Sequence, residues 1–392
     1  MNVGILTFHF SDNYGAALQA YALRRWFSEH GHQAQFIDYR PAHIEQGGRL
    51  VLPTSPSRLK ADLKVLYLGA SSFINEHFGN QGQKEKLARF RELFLGLQHH
   101  TGATDNEAAL ECARGFSLLV AGSDQIWSPS QHYGFDPNYF LAFARHYSGR
   151  RVSYAASFGR DKLSATEADQ LTGLLANFDA VSVRETSGVK LAKEAGVPAP
   201  VNVPDPTLLH SDYSELISVA PQPARFPYVF CYTLRSPDNI RQTAKQVARA
   251  LGGARILSPH NPHRRWLEIG TTIYPDPAEW VARLKHASFV VTNSFHGTVF
   301  SLLFRKPFIV AGLTGDKAAA NVRALNLLRS VGLESRFTAS YSADKVAQLM
   351  SEEIDWPKVN ASLENLTSAG EGYLREQLRL AEAGETGHHK FP

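Results

Sequence analysis

The sequence predicts an α/β protein of two Rossmann-like domains facing a cleft. Three observations predict it. Strand and helix patterns alternate almost throughout. The alternation pauses at proline-rich text, Val203-Pro204-Asp205-Pro206 and then Ala220-Pro221-Gln222-Pro223, and restarts at Tyr228. A chain of 392 residues also exceeds one ordinary core. The expected boundary lies near 211–226. It gives an N-terminal domain over 1–215 and a C-terminal domain over 216–392 that ends in helices.

The elements follow in order. Val3–Phe8 reads as a strand. Ala16–His30 reads as a helix, with Leu18, Tyr21, Ala22 and Trp26 near one face. Gly31 stops it, and Ala34–Asp38 is the next strand, which completes a βαβ unit. Strand-like runs recur at Ser117–Ala121, Val152–Ala156, Ala180–Val183 and Val201–Val203. Ser164-Ala165-Thr166-Glu167 is a capping box that starts a helix. The second series opens with the strand Tyr228–Tyr232. The helix Asn239–Leu251 follows, ended by Gly252-Gly253, and then the strand Ala254–Leu257. Asp276-Pro277-Ala278-Glu279 carries a cap, a proline and an acid in helix-start positions. Helices fill most of Ala320–Leu333 and Ala343–Ala383. Residues 41–110 break the alternation and read as a helical insertion. Within them Arg58–Leu68 is a basic amphipathic pattern with Leu59, Leu63 and Leu66 on one face. It suits either a membrane surface or packing on its own domain.

Composition excludes several classes. Hydrophobic residues make up 43% and charged residues 20%, so the chain folds rather than staying disordered. No run is long and apolar enough for a spanning helix. The chain opens on a strand without the marks of a signal peptide, and the expected location is the cytoplasm. Cys112 and Cys231 are the only cysteines, and both read as buried thiols. The formal charge of +4 is too small to demand nucleic acid and suits anionic substrates or an anionic membrane face.

Ligands of open α/β sheets bind outside the carboxyl ends of strands, so functional residues are sought there. The stretch Val290–Val310 is the first candidate. A strand runs into a helix expected to begin near Thr298, and a helix start favours anions. Gly297 permits close approach, while Ser294 and Thr298 supply hydroxyls. His296 then stands beside the anion as a proton-transfer group. The alternative is a helix cap around a core histidine. After the first strand, Asn13, Tyr14 and Gly15 suit a sugar or phosphate, or an ordinary loop. After another, Ser123 and Asp124 precede Gln125 and Trp127, a set typical of carbohydrate contact or of a capped helix. Arg184 ends the strand Val181–Val183 and can fork onto a carboxylate or phosphate, or pair with Glu185. Arg235, after Tyr228–Thr233, is similar. His260, His263, Arg264 and Arg265 form a basic cluster without an acidic or cysteine partner, so no metal site is expected.

Six stretches of the chain share a wider pattern. They are NYGAALQAYAL, AGSDQIW, SYAASFG, VSVRE, DPTLL and NSFHGTVFSLLFRKPFIV, in that order from Asn13 to Val310. Together they resemble the polysaccharide pyruvyl transferases. The resemblance implies a fold similar to the two-domain glycosyltransferase B type. It also implies transfer of the enolpyruvyl carbons of phosphoenolpyruvate to a hexose as a cyclic ketal, with phosphate released. It places the active-site histidine at His296. Family members often carry a basic residue before this histidine. Here Ser294 and Phe295 precede it, so an arginine from elsewhere must hold the donor, with Arg184 first and Arg235 and Arg305 behind. The donor is expected on Ser294, Gly297 and Thr298 of the C-terminal domain. The sugar acceptor is expected at Asn13, Tyr14, Ser123 and Asp124. The expected acceptor is a polysaccharide hexose or its lipid-linked precursor at the inner membrane face. No metal or cofactor is expected. Two other readings stay open: a nucleotide-sugar glycosyltransferase on the same fold, and a non-catalytic glycan-binding protein.

Overall fold

The structure is a computed structural model of the chain. It describes residues 1–41, 80–97, 102–103, 105–130, 134–222, 224–234, 238–260 and 269–384, with Leu63 and Leu66. These residues divide into two compact units. One takes the described residues of Met1–Asp12 and Ala16–Leu209 and those from Ala369 onward. The other takes Asn13–Gly15 and His210–Ser368.

The first unit is built on six parallel strands, β1 (Asn2–Leu6), β2 (Gln33–Phe36), β3 (Leu118–Asp124), β4 (Arg150–Ala156), β5 (Ser182–Val183) and β6 (Val201–Asn202). Their order is β2-β1-β3-β4-β5-β6. Val3 pairs with Leu118 and Ile5 with Val120. Val3, Ile5, Leu118, Leu119 and Val120 are all fully buried. That explains why these strands read as continuous apolar runs: helices cover both faces of a parallel sheet. The helix Tyr14–Glu29 makes the first crossover and buries Leu18, Tyr21, Ala22 and Trp26. Trp127 stacks on Phe140 within the core, with centroids 4.9 Å apart.

The second unit is also a six-stranded parallel sheet: β7 (Tyr228–Tyr232), β8 (Arg255–Pro259), β9 (Thr271–Ile273), β10 (Phe289–Thr292), β11 (Phe308–Ala311) and β12 (Phe337–Thr338). The order is β12-β11-β10-β7-β8-β9. Val229, Cys231, Val291 and Ile309 pack against Ile240, Ala244 and Val247 of the helix Asp238–Ala250.

Each sheet therefore grows outward in two directions from one place. In the first unit that place lies between β1 and β3; in the second, between β7 and β10. The loops leaving two adjacent strands at such a switch point run to opposite sides and open a crevice at the carboxyl ends.

The structure adjusts several expectations. The first helix begins at Tyr14, two residues before Ala16, and β2 ends at Phe36 rather than Asp38. The helix after β10 starts at Phe295, three residues before Thr298, because Ser294 caps it. The end of the chain holds two helices, Ala343–Ser351 and Trp356–Glu382, with a break at Glu352–Asp355. The expectation kept all of 216–392 in one domain, whereas the tail of the last helix counts with the first unit. There Tyr373 donates to the Ser153 carbonyl at 2.9 Å, and the Gln377 side chain accepts from Arg150 at 2.8 Å. Cys231 is buried in β7, but Cys112 is exposed on the helix Asn106–Ala113. Most of 41–110 lies outside the described residues, as does Arg58–Leu68 apart from Leu63 and Leu66, which are both exposed. Among the described residues no helix is long and apolar enough to cross a membrane.

Candidate active site

The switch point of the second unit lies at the ends of β7 and β10, and His296 belongs to it. Thr292 closes β10 and pairs in register with Tyr232 of β7. Its hydroxyl donates to the Tyr232 carbonyl at 2.7 Å and accepts from the Ser294 amide at 3.0 Å. One residue on, the Asn293 side-chain oxygen accepts from the Leu234 amide at 2.9 Å, which ties the two loops together. The chain then turns into the helix Phe295–Leu303, whose residues Phe295–Leu302 are all buried.

Ser294 is the N-cap. Its hydroxyl accepts from the Gly297 amide at 3.4 Å. Its carbonyl receives both the amide and the hydroxyl of Thr298, each at 3.0 Å. The amides of Gly297 and Thr298 are therefore engaged inside the turn. What this turn offers an anion is the aligned peptide dipole, worth about 0.3–2 kcal/mol. A Cβ on Gly297 would overlap the Thr292 hydroxyl, so glycine is required by close packing of strand end and helix start. His296 stands at the second helical position, with only 6% of its surface exposed. The Phe295 ring meets it edge-on at 5.3 Å.

Asn13–Gly15 counts with this second unit. The Asn13 side chain accepts from the Gly15 amide at 2.9 Å. Tyr14 is buried, stacked on Trp280 at 6.0 Å and edge-on to Tyr232 at 5.8 Å. Its hydroxyl faces the carbonyls of His260 and Pro275, 3.2 Å from each. Tyr14 is thus an anchor whose polar tip is already bonded.

Ser123 and Asp124 lie at the end of β3, at the switch point of the first unit. Ser123 is fully buried and donates to Asp205 at 3.0 Å. Asp124 is partly exposed and adopts the left-handed backbone, φ 68°. Arg184 is buried and donates to Asp205 at 2.7 Å, with Asp124 at 3.7 Å. Burial works against its charge, but the carboxylates of Asp205, Asp124 and Glu185 outweigh it and raise its pKa. The sequence reading offered Arg184 to the donor. The structure places it in the first unit, with its charge matched by internal carboxylates. Arg305 is exposed just beyond the far end of the nine-residue helix that starts beside His296, about 14 Å of helix away. Arg235, His263, Arg264 and Arg265 lie outside the described residues. Among the described residues no group of three or more ligand-type side chains is placed to hold a metal.

Sequence reasoning gave no role to Asp205, His9 and Asp38, and named Glu185 only as a partner for Arg184. Asp205 accepts from Ser123, Arg184 and Thr207. Glu185 accepts from the Ser157 hydroxyl at 3.0 Å and the Phe158 amide at 2.9 Å. His9 and Asp38 face each other at 2.9 Å, and Arg40 joins them. A carboxylate inside an apolar run, as in Val203-Pro204-Asp205-Pro206, was the available signal for the first of these.

The fold and the switch-point site define an α/β protein of the glycosyltransferase B type. A UDP-GlcNAc 2-epimerase from Neisseria meningitidis superposes with TM-score 0.52 at 10% identity, over 97% of this chain and 100% of that one. The UDP-GlcNAc 2-epimerase of Methanocaldococcus jannaschii superposes with TM-score 0.48 at 10% identity, over 97% and 100%. Likeness at such identity concerns the fold alone. No curated protein matches the chain. The family model of the polysaccharide pyruvyl transferases matches residues 13–313. The chain belongs to that family, and the match spans both units.

Proposed function

We propose that the protein transfers a pyruvyl group from phosphoenolpyruvate to a hexose of a polysaccharide, or of its lipid-linked precursor, as a cyclic ketal. The supporting observation is His296. A titratable ring stands at the switch point of a parallel sheet, in the first turn of a helix, within the segment the family model matches.

The chemistry asks for one mobile proton. Protonation of the vinyl methylene gives a methyl group and an oxocarbenium-like carbon. A sugar hydroxyl attacks that carbon and gives up its proton. A second hydroxyl then displaces phosphate, which takes up that hydroxyl's proton, and the ketal closes. His296 delivers or removes the proton, a role worth about 10²–10⁴ in rate. No electron changes hands and no phosphoryl group is transferred to an acceptor, so the reaction calls for no cofactor. The donor carries both a phosphate and a carboxylate, and a helix dipole alone holds such a dianion poorly. Arg235 is the proposed clamp. Its chain neighbour Leu234 is bonded to Asn293, one residue before Ser294. Ser294, Gly297 and Thr298 shape the turn that receives the donor. The proposed setting is the cytoplasm, at the inner membrane face when the acceptor is lipid-linked.

The test is phosphate release from phosphoenolpyruvate in the presence of glycan acceptors. His296→Ala should keep the fold and lose at least two orders of magnitude in rate. Turnover of a labelled nucleotide sugar with no turnover of phosphoenolpyruvate would replace this reading with glycosyl transfer.

A further inference from the structure

Residues Asn13–Gly15 leave the first unit's sequence and count with the second. Tyr14 is held in an aromatic nest by Trp280 and Tyr232, with its hydroxyl on two carbonyls. Asn13 bonds the Gly15 amide and fixes where that residue lies. Gly15 in turn lies against the imidazole of His296. A Cβ at position 15 would overlap ring atoms Nδ1, Cγ and Cε1 together. Nothing about the local backbone requires glycine here. Gly15 sits in the first turn of a helix and is absent from the glycines with positive φ. Alanine would favour the helix by about 0.5–1 kcal/mol. The three atoms nearest to such a Cβ all belong to that ring, so the ring accounts for the missing side chain.

We propose that Asn13-Tyr14-Gly15 is a brace for the His296 imidazole and that Gly15 is its positioning residue, setting the ring plane by leaving room for one edge. This rests on the reading of His296 as the proton-transfer group. A ring displaced by an ångström misses its proton partner, and such misplacement can cost on the order of 10² in rate.

The test reads the ring before it reads turnover. Gly15→Ala, His296→Ala and the double variant are compared by urea unfolding. Gly15→Ala alone should lower the folding constant on the order of tenfold, the coupling expected of residues in contact. In the His296→Ala background the sign should reverse. The methyl then enters space the ring has vacated, and the helix preference of alanine should raise the constant about two- to fivefold. If Gly15→Ala does not fold, a folded double variant still supports the contact. In ¹⁵N-histidine-labelled protein the ring signals that His296→Ala removes should move in Gly15→Ala and stay put in Ser342→Ala, a variant at another helix cap of the second unit. An equal stability loss in both backgrounds, a double variant that also fails to fold, or unmoved ring signals would overturn the brace. Coupling and displaced signals with phosphate release from phosphoenolpyruvate unchanged would keep the brace and remove His296 from the chemistry.

Discussion

Arg184 and Asp205 form a buried ion pair, 2.7 Å apart, at the heart of the first unit. Ser123 and Thr207 complete the shell of Asp205. Asp205 is 1% exposed and Arg184 8%. A pair this deep behaves as part of the frame. Removing one partner strands the other charge, at a cost of about 3–5 kcal/mol.

Arg184→Ala should therefore lower the urea midpoint by an amount matching that cost. Arg184→Lys should recover little, because an ammonium cannot reproduce the planar fork. A stable Arg184→Ala protein with a large rise in KM for phosphoenolpyruvate would return this residue to the donor site.

Arg235 carries the opposite expectation. Arg235→Ala should change the unfolding free energy by no more than about 0.5 kcal/mol, since its proposed partner is the donor and not the fold. It should raise the apparent KM for phosphoenolpyruvate by about tenfold or more, the loss of one or two charge-assisted bonds. An unchanged KM would move the clamp elsewhere.

Acid should act through Asp38. Burial alone would raise its pKa, but hydrogen bonds from His9 and Arg40, and their charges, bring it from 3.8 down to about 2. A folded pKa below the unfolded one stabilises the fold at higher pH. The contribution is whole above about pH 4 and is lost as the pH falls toward 2. His9 works in the same direction. Burial pushes its pKa below 6.5 against the pull of Asp38, so the unfolded chain takes up that proton more readily. Asp38→Asn should cost about 2 kcal/mol at neutral pH. It should also flatten the stability profile between pH 4 and 2. Parallel profiles for both proteins would contradict this assignment.

Gly297→Ala tests the turn beside His296. A methyl there meets the Thr292 hydroxyl, which is itself bonded to Tyr232. Overpacking should cost about 1–3 kcal/mol. Pairing it with Thr292→Ala should recover part of the loss, as read by thermal unfolding.

Local rules carried a large part of this structure. The Ser164–Glu167 capping box forms as written, and the cap at Asp276 accepts from the Glu279 amide at 2.7 Å. The apolar runs Tyr228–Tyr232 and Phe289–Thr292 became strands buried on both faces. The strand-then-helix pattern around His296 located the switch-point loop, though Ser294 starts the helix earlier than the apolar pattern suggested. Each of these follows from neighbours within a turn or two of chain, where spacing alone fixes contact.

Other features belong to tertiary structure. Arg184 found Asp205 and Asp124 through the side-by-side packing of β3, β4, β5 and β6, and that neutralised a charge the sequence offered to a ligand. Gly15 found His296 across 281 positions of chain (296 minus 15). The end of the last helix returned to β4 through Tyr373 and Gln377. The physical reason is the same in each case. Periodicity reports which face of an element is buried, but the partner on that face is set by strand order and helix direction, and neither is written in local spacing.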